Sequence, residues 1–117
     1  MTTRHDPATA YRRLIDRLPE TAGNADACWR LLMAAHVVGQ AELRLHWDSH
    51  VRMLRQARTE RDWREATGQL MRLALVPLGH LLGRLPAGNV GRATVSAFAP
   101  MAPPPPVAAL VRWATGG

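Results

Sequence analysis

The sequence has no lysine and only one cysteine, and both absences limit the classes of protein to which it can belong. Cys28 has no partner for an intrachain disulfide, which argues against a small disulfide-stapled secreted fold and favours a reducing compartment. All fifteen basic residues are arginine, and the net charge is +6. The arginines are spread along the chain among acidic residues and do not alternate with aromatic residues. The sequence therefore argues against a nucleic-acid-binding surface.

Long apolar runs and recognisable catalytic motifs are also missing. The longest apolar stretch, LALVPLGHLLG, is too short to span a membrane, and no apolar run near the start resembles a signal peptide. We therefore expect a soluble, cytoplasmic protein. HExxH, paired ExxH, CxxC and GxSxG are all absent, which argues against zinc-protease, di-iron, zinc-finger and α/β-hydrolase sites. The sequence indicates no enzymatic reaction, and whether the protein is an enzyme stays open.

Apolar residues recur at helical spacing through most of the chain and predict an all-α fold. The predicted helices cover about 6–18, 24–39 and 41–58, and a fourth begins near 61 and weakens at Pro77. Asp26 and Asp62 begin two similar segments, about one helical-hairpin repeat apart. We therefore expect a helical domain over 1–85, built as two stacked αα-hairpins resembling a short tetratricopeptide array. A plain four-helix bundle is the alternative.

The chain changes character from residue 86 onward, where glycine and proline become frequent. The motif GNVG predicts a turn and PPPP predicts a stiff polyproline segment. Apolar residues such as Phe98 and Trp113 make the region too hydrophobic to be simply disordered. We therefore predict that 86–117 forms an irregular Gly/Pro-rich C-terminal arm, packed on the domain or on a neighbouring subunit of a homodimer.

The stretch AHVVGQAELRLHWDSH holds three of the five histidines and is the strongest candidate for a functional site. Two histidines four residues apart lie on one face of the third helix, and a third points inward from the second helix. Imidazoles at this spacing can bind zinc, copper or iron while the helix stays regular. Structural hydrogen bonding inside the core remains the alternative. The proposed ligands are His36, His46 and His50, with Gln40, Glu42 and Met53 as auxiliary ligands or supporting residues. His80 is expected to be exposed or to cap the fourth helix.

Several motifs taken together resemble a family of small bacterial proteins catalogued as domain of unknown function 3703. They are AH-x2-GQ, the His46/His50 pair, Met53-Leu54, RDWRE, GQL and the tail motif GN-x-G followed by VS-x-F-x-PM. The tail motif, which includes Gly88, Asn89 and Gly91, is the most specific. Departures are Trp47 between the two histidines and a long PPPP run. The family has no established activity to transfer. The resemblance implies a link to heavy-metal handling and a site shared by His36, Gln40, His46, His50 and Asn89.

These observations lead to two functional hypotheses of different classes. The first is a transition-metal or small-ligand site between the second and third helices. The alternative is a protein-interaction or dimerisation module without metal, which uses a tetratricopeptide-like groove or exchanged proline-rich tails. The two differ in what they require of the histidines, because only the first needs their ring nitrogens to converge.

Overall fold

The computed structural model describes residues 4–83, 89–93 and 101–117, and these residues are helical without strands. They form five α-helices, not the four that the sequence predicted. A short 3₁₀ helix, Leu18–Thr21, lies between the first two. The α-helices are α1 Pro7–Ile15, α2 Ala25–Gly39, α3 Leu43–Thr59, α4 Trp63–Leu82 and α5 Pro105–Thr115.

Three of the helices begin at polar residues whose side chains cap the first turn. Asp6, Asn24 and Asp62 accept hydrogen bonds from backbone N–H groups at the starts of α1, α2 and α4 respectively. These caps satisfy donors that have no partner inside a helix. The starts predicted for these helices were therefore accurate to within a few residues.

The predicted weakening of the fourth helix at Pro77 was wrong, because α4 continues through Pro77 to Leu82. A proline inside a helix removes one backbone hydrogen bond and crowds the preceding turn, but it does not have to end the helix. Pro77 lies on the exposed side of α4. The helix ends instead at Gly83, which adopts a left-handed conformation with φ of 67°. The continuation is what places His80 on the same helix as Glu65.

The prediction of an irregular arm was wrong for its last part, which forms α5. The four prolines do not make one extended segment, since Pro105 and Pro106 belong to the first turn of the helix. Proline is compatible with that turn because its missing N–H would have had no helical partner there. α5 packs against α1 and α2 of the same chain. The boundary placed at residue 86 lies outside the described residues, and the homodimer stays a prediction.

The core divides into two apolar clusters that hold α2 in the middle of the fold. One cluster joins α1, α2 and α5 around Leu14 and Val107, while the other joins α2, α3 and α4 around Leu32 and Met53. α3 also packs along α4. None of the helices in the described part of the chain combines the length and the apolar character needed to cross a bilayer. The tetratricopeptide-like arrangement stays a prediction, whereas the all-helical fold is confirmed for the residues that the structure describes.

Candidate metal centre

Three buried imidazoles meet where α2 crosses α3. His36 comes from α2, and His46 and His50 come from successive turns of α3. One ring nitrogen of each lies within 4.8 Å of those of the other two, and the Nε2 atoms of His36 and His46 are 3.1 Å apart. No ring is more than 8% exposed. The predicted convergence of these three side chains is confirmed.

Two of the three rings have their protons fixed by carbonyl oxygens. Nδ1 of His36 donates to the backbone oxygen of Asn89 at 2.6 Å, and Nδ1 of His50 donates to Oε1 of Gln69 at 2.6 Å. A carbonyl oxygen can only accept, so each Nδ1 must carry the hydrogen. In the neutral rings this leaves the lone pair of His36 and of His50 on Nε2, the nitrogen that is available to a metal.

The orientation of the Gln69 amide is itself determined by its surroundings. Its Nε2 donates to Oε2 of Glu65 at 2.8 Å and to the backbone oxygen of Gly91 at 3.0 Å. Both partners are acceptors, which places the amide oxygen of Gln69 toward His50. Gln69 is therefore a fixed acceptor for His50, as expected of a residue that orients a metal ligand.

Glu65 is a buried carboxylate that connects the helices to the 89–93 segment. It is 2% exposed and accepts hydrogen bonds from Gln69, from Nε of Arg92 at 2.8 Å and from the backbone N–H of Ala93 at 2.7 Å. The guanidinium of Arg92 also lies 3.8 Å above the ring of Trp29. These contacts supply the partners that a buried negative charge requires.

Burial keeps the three imidazoles neutral near physiological pH. Removal from water, followed by repulsion from His50 and His46, holds the pKa of His36 well below its ordinary value of 6.5. Burial is also the main cause that lowers the pKa of His46 to about 3 and that of His50 to about 4. Metal ligation requires neutral imidazole, so ligand protonation does not oppose binding at neutral pH.

The 89–93 segment covers the ring of His36 at a position that requires glycine. Gly91 has φ of 84°, and a Cβ added to it would lie 2.6 Å from Cδ2 of His36. The turn is also held by a hydrogen bond from the Gly91 N–H to Oδ1 of Asn89 at 2.9 Å. Part of the predicted tail motif thus belongs to the same site as the histidines, although Gly88 lies outside the described residues.

Gly91→Ala is therefore expected to destabilise the fold more than a glycine replacement elsewhere with a similar φ. Gly23 is the matched control, because it has φ of 78° and its added Cβ would meet nothing within 4 Å. Gly23→Ala should cost about 1–2 kcal/mol from the backbone conformation alone. Gly91→Ala should cost about 1–3 kcal/mol more, from overpacking against His36. Chemical denaturation measures both, and equal losses would contradict the packing of Gly91 on His36.

The three residues predicted to assist the histidines differ in burial and in what surrounds them. Gln40 is buried just after α2, whereas Glu42 is exposed at the start of α3 and is not among the side chains brought together. Met53 is fully buried one turn after His50, in the apolar cluster with Trp29 and Leu32. The structure thus gives Met53 a packing role, and Asn89 contributes its backbone oxygen to His36.

The expectation that His80 is exposed was wrong, although it does lie in the last turn of α4. His80 is partly buried, and its Nε2 lies 3.0 Å from Nδ1 of His46. No role at the site was predicted for Glu65 or Gln69. A sequence signal existed, since positions 65, 69, 73, 76 and 80 share one face of a helix. Polar residues at three of these positions, beside buried Leu73 and Val76, mark a polar strip that faces the core.

Comparison with known proteins identifies a family but no relative of known activity. The sequence model of the family described as Protein of unknown function (DUF3703) matches residues 6–111, which confirms the resemblance seen in the motifs. A search of curated proteins found no match, and a search of solved structures found none. Any functional conclusion must therefore come from the geometry of the site.

Proposed function

We propose that this chain, which belongs to the DUF3703 family, binds one transition-metal ion through His36, His46 and His50. The observation that carries the proposal is the set of acceptors behind the rings. Asn89 and Gln69 hold the Nδ1 protons of His36 and His50, so that the Nε2 atom of each neutral ring carries a lone pair and no proton. Metal-binding histidines in proteins have this arrangement, in which the second ring nitrogen donates to a carbonyl or carboxylate.

The donor atoms also indicate which ions fit. The three candidate ligands are neutral imidazole nitrogens, which suit zinc, copper, iron or nickel. Calcium and magnesium prefer oxygen ligands, and the Glu65 carboxylate is already engaged by Arg92, Ala93 and Gln69. The proposal is therefore a site for a late transition metal, and it goes no further toward a reaction.

The structural alternative explains part of this arrangement but leaves one feature without a reason. Histidines retained only for hydrogen bonding inside a core need a partner for each buried nitrogen. His36 meets this need at both nitrogens, through Asn89 and His46. The ring of His50 is bonded to Gln69 through Nδ1 and lies against the other two rings. Burying three imidazoles against one another costs solvation, and a bound cation would offset that cost.

The test is a titration of chelator-treated protein with Zn²⁺ and, as a spectroscopic substitute, Co²⁺. We expect one ion per chain. We also expect His50→Ala to weaken binding by more than about 100-fold, which exceeds the usual loss when a residue that only hydrogen-bonds to a metal ligand is removed. His46→Ala serves as a second variant, and circular dichroism confirms that the helices remain.

His5→Ala is the matched control for this titration. His5 lies before α1, outside the cluster, and its backbone N–H donates to the oxygen of Thr115. Its replacement should leave binding unchanged, which would exclude capture of the ion by His5. The proposal is overturned if the wild-type chain takes up no Zn²⁺ or Co²⁺, or if neither cluster variant weakens binding.

A further inference from the structure

His46 differs from the other two candidate ligands because both of its ring nitrogens face other imidazoles. Its Nε2 lies 3.1 Å from Nε2 of His36, and its Nδ1 lies 3.0 Å from Nε2 of His80. Imidazole nitrogens can donate or accept, so neither neighbour fixes the proton in the way that a carbonyl oxygen does. The tautomer of His46 is therefore set by the network as a whole.

Without an ion, this network has one consistent arrangement of protons for neutral rings. The proton of His36 is on Nδ1, because that atom donates to Asn89. Nε2 of His36 must then accept, and Nε2 of His46 must donate to it. Nδ1 of His46 is left as an acceptor, so Nε2 of His80 supplies the hydrogen.

With an ion held at the three Nε2 atoms, the hydrogen bond between His46 and His80 must reverse its direction. The lone pair of His46 is then needed at Nε2, so its proton must be on Nδ1. The atom facing Nδ1 is Nε2 of His80, which must now accept. His80 can do so as a neutral ring that carries its own proton on Nδ1.

We propose that His80 is a positioning residue of the metal site, which donates to His46 when the site is empty and accepts from it when an ion is bound. This inference rests on the proposed function and assigns a role that none of the three ligands can fill. The proton that leaves Nε2 of His80 passes to Nδ1 of His46 along their hydrogen bond. The proton displaced from Nε2 of His46 goes to water, and Nδ1 of His80 takes one proton from water. The total number of protons on the two rings is unchanged.

The position of His80 suits this exchange. It lies in the last turn of α4, where it is partly buried, whereas His36, His46 and His50 are buried. Its ring centroid is 5.2 Å from that of His46. His80 thus provides the least buried of the four rings as a route for protons to exchange with water, and the three ligands keep their fixed positions.

The experiment compares His80→Leu, which can neither donate nor accept, with His80→Gln, whose amide can do both. Affinity for Co²⁺ and Zn²⁺ is measured by competition with a chelator. We expect His80→Leu to weaken binding by about 10–100-fold, the usual range when a hydrogen-bond partner of a metal ligand is removed. We expect His80→Gln to retain most of the wild-type affinity. His5→Leu is the control for loss of an imidazole outside the cluster, and circular dichroism checks that each variant retains its helices.

The Co²⁺ absorption spectrum and histidine nitrogen NMR separate positioning from direct ligation. If His80 only positions His46, the spectrum of the Co²⁺-loaded His80→Gln variant matches that of the wild type. In the wild type, NMR should find the proton of His46 on Nε2 without metal and on Nδ1 with Zn²⁺. A changed spectrum in both variants would make His80 a ligand and overturn the inference. Unchanged affinity in His80→Leu would overturn it as well.

These outcomes separate this inference from the proposed function. If the wild type binds Zn²⁺ through His46 and His50 but His80→Leu binds equally well, only the role of His80 fails. If the wild type binds neither ion, both fail together. A His46 proton that stays on the same nitrogen in the metal-free and Zn²⁺-loaded wild type contradicts the exchange directly.

Discussion

The free energy of unfolding of the metal-free protein is expected to fall by roughly 4–6 kcal/mol between about pH 7 and about pH 5. The cause is the burial of three imidazoles whose folded-state pKa values lie below the ordinary 6.5, with His46 at about 3 and His50 at about 4. The unfolded chain takes up protons as the pH falls below 6.5, while the folded chain resists them. The stability is therefore complete above that pH and is lost progressively as the pH falls toward the folded-state values.

The measurement is urea denaturation in the presence of a chelator, at several pH values between about 5 and about 7. Each histidine that stays neutral in the fold contributes a slope of about 1.4 kcal/mol per pH unit. A free energy of unfolding that is the same at both ends of the range would contradict the buried, neutral state assigned to these rings.

Glu65→Ala is expected to destabilise the protein by about 3–5 kcal/mol, the usual loss when one partner of a buried ion pair is removed. The substitution takes away the acceptor for Arg92 and for the Ala93 N–H, and it removes one of the two acceptors for Gln69. The amide of Gln69 is then fixed only by the backbone oxygen of Gly91, and it holds His50 less firmly. We therefore expect weaker metal binding in addition to the loss of stability.

Glu20→Ala is the matched control for an ion pair at the surface. Arg17 and Glu20 lie 3.5 Å apart on side chains that are 43% and 66% exposed. Exposed pairs contribute at most about 1 kcal/mol, so this variant should unfold almost like the wild type. Chemical denaturation of the two variants side by side measures the contrast. Comparable losses would show that Glu65 is not the buried junction described above.

The helices could be predicted from the sequence because their apolar residues recur at helical spacing and three of them begin at capping side chains. Asp6, Asn24 and Asp62 are local features, visible without knowledge of the tertiary structure. Pro77 and the PPPP run were misleading, because proline disfavours helix interiors on average but is compatible with an exposed position or a first turn. Packing decides between these cases, and the sequence does not show packing.

The candidate site was predictable only in part for a similar reason. His46 and His50 share a face by spacing alone, and His36 points inward by its position among apolar residues. The approach of His80 to His46 depends on how α4 packs along α3, and the acceptor for His36 is a backbone oxygen at Asn89. A backbone oxygen leaves no mark in the sequence. Gln69 could have been found, because it shares a helical face with buried Leu73 and Val76.

The most direct measurement of the central claim is X-ray absorption on the full chain reconstituted with Zn²⁺ after removal of excess metal. We expect one ion per chain, with scattering from three imidazoles at about 2.0–2.1 Å. We also expect one imidazole to be lost in any His50→Ala protein that still retains the ion. An ion surrounded by oxygen atoms, or a chain that retains no zinc at all, would contradict the proposed site. The three histidines would then have only a structural role in the core.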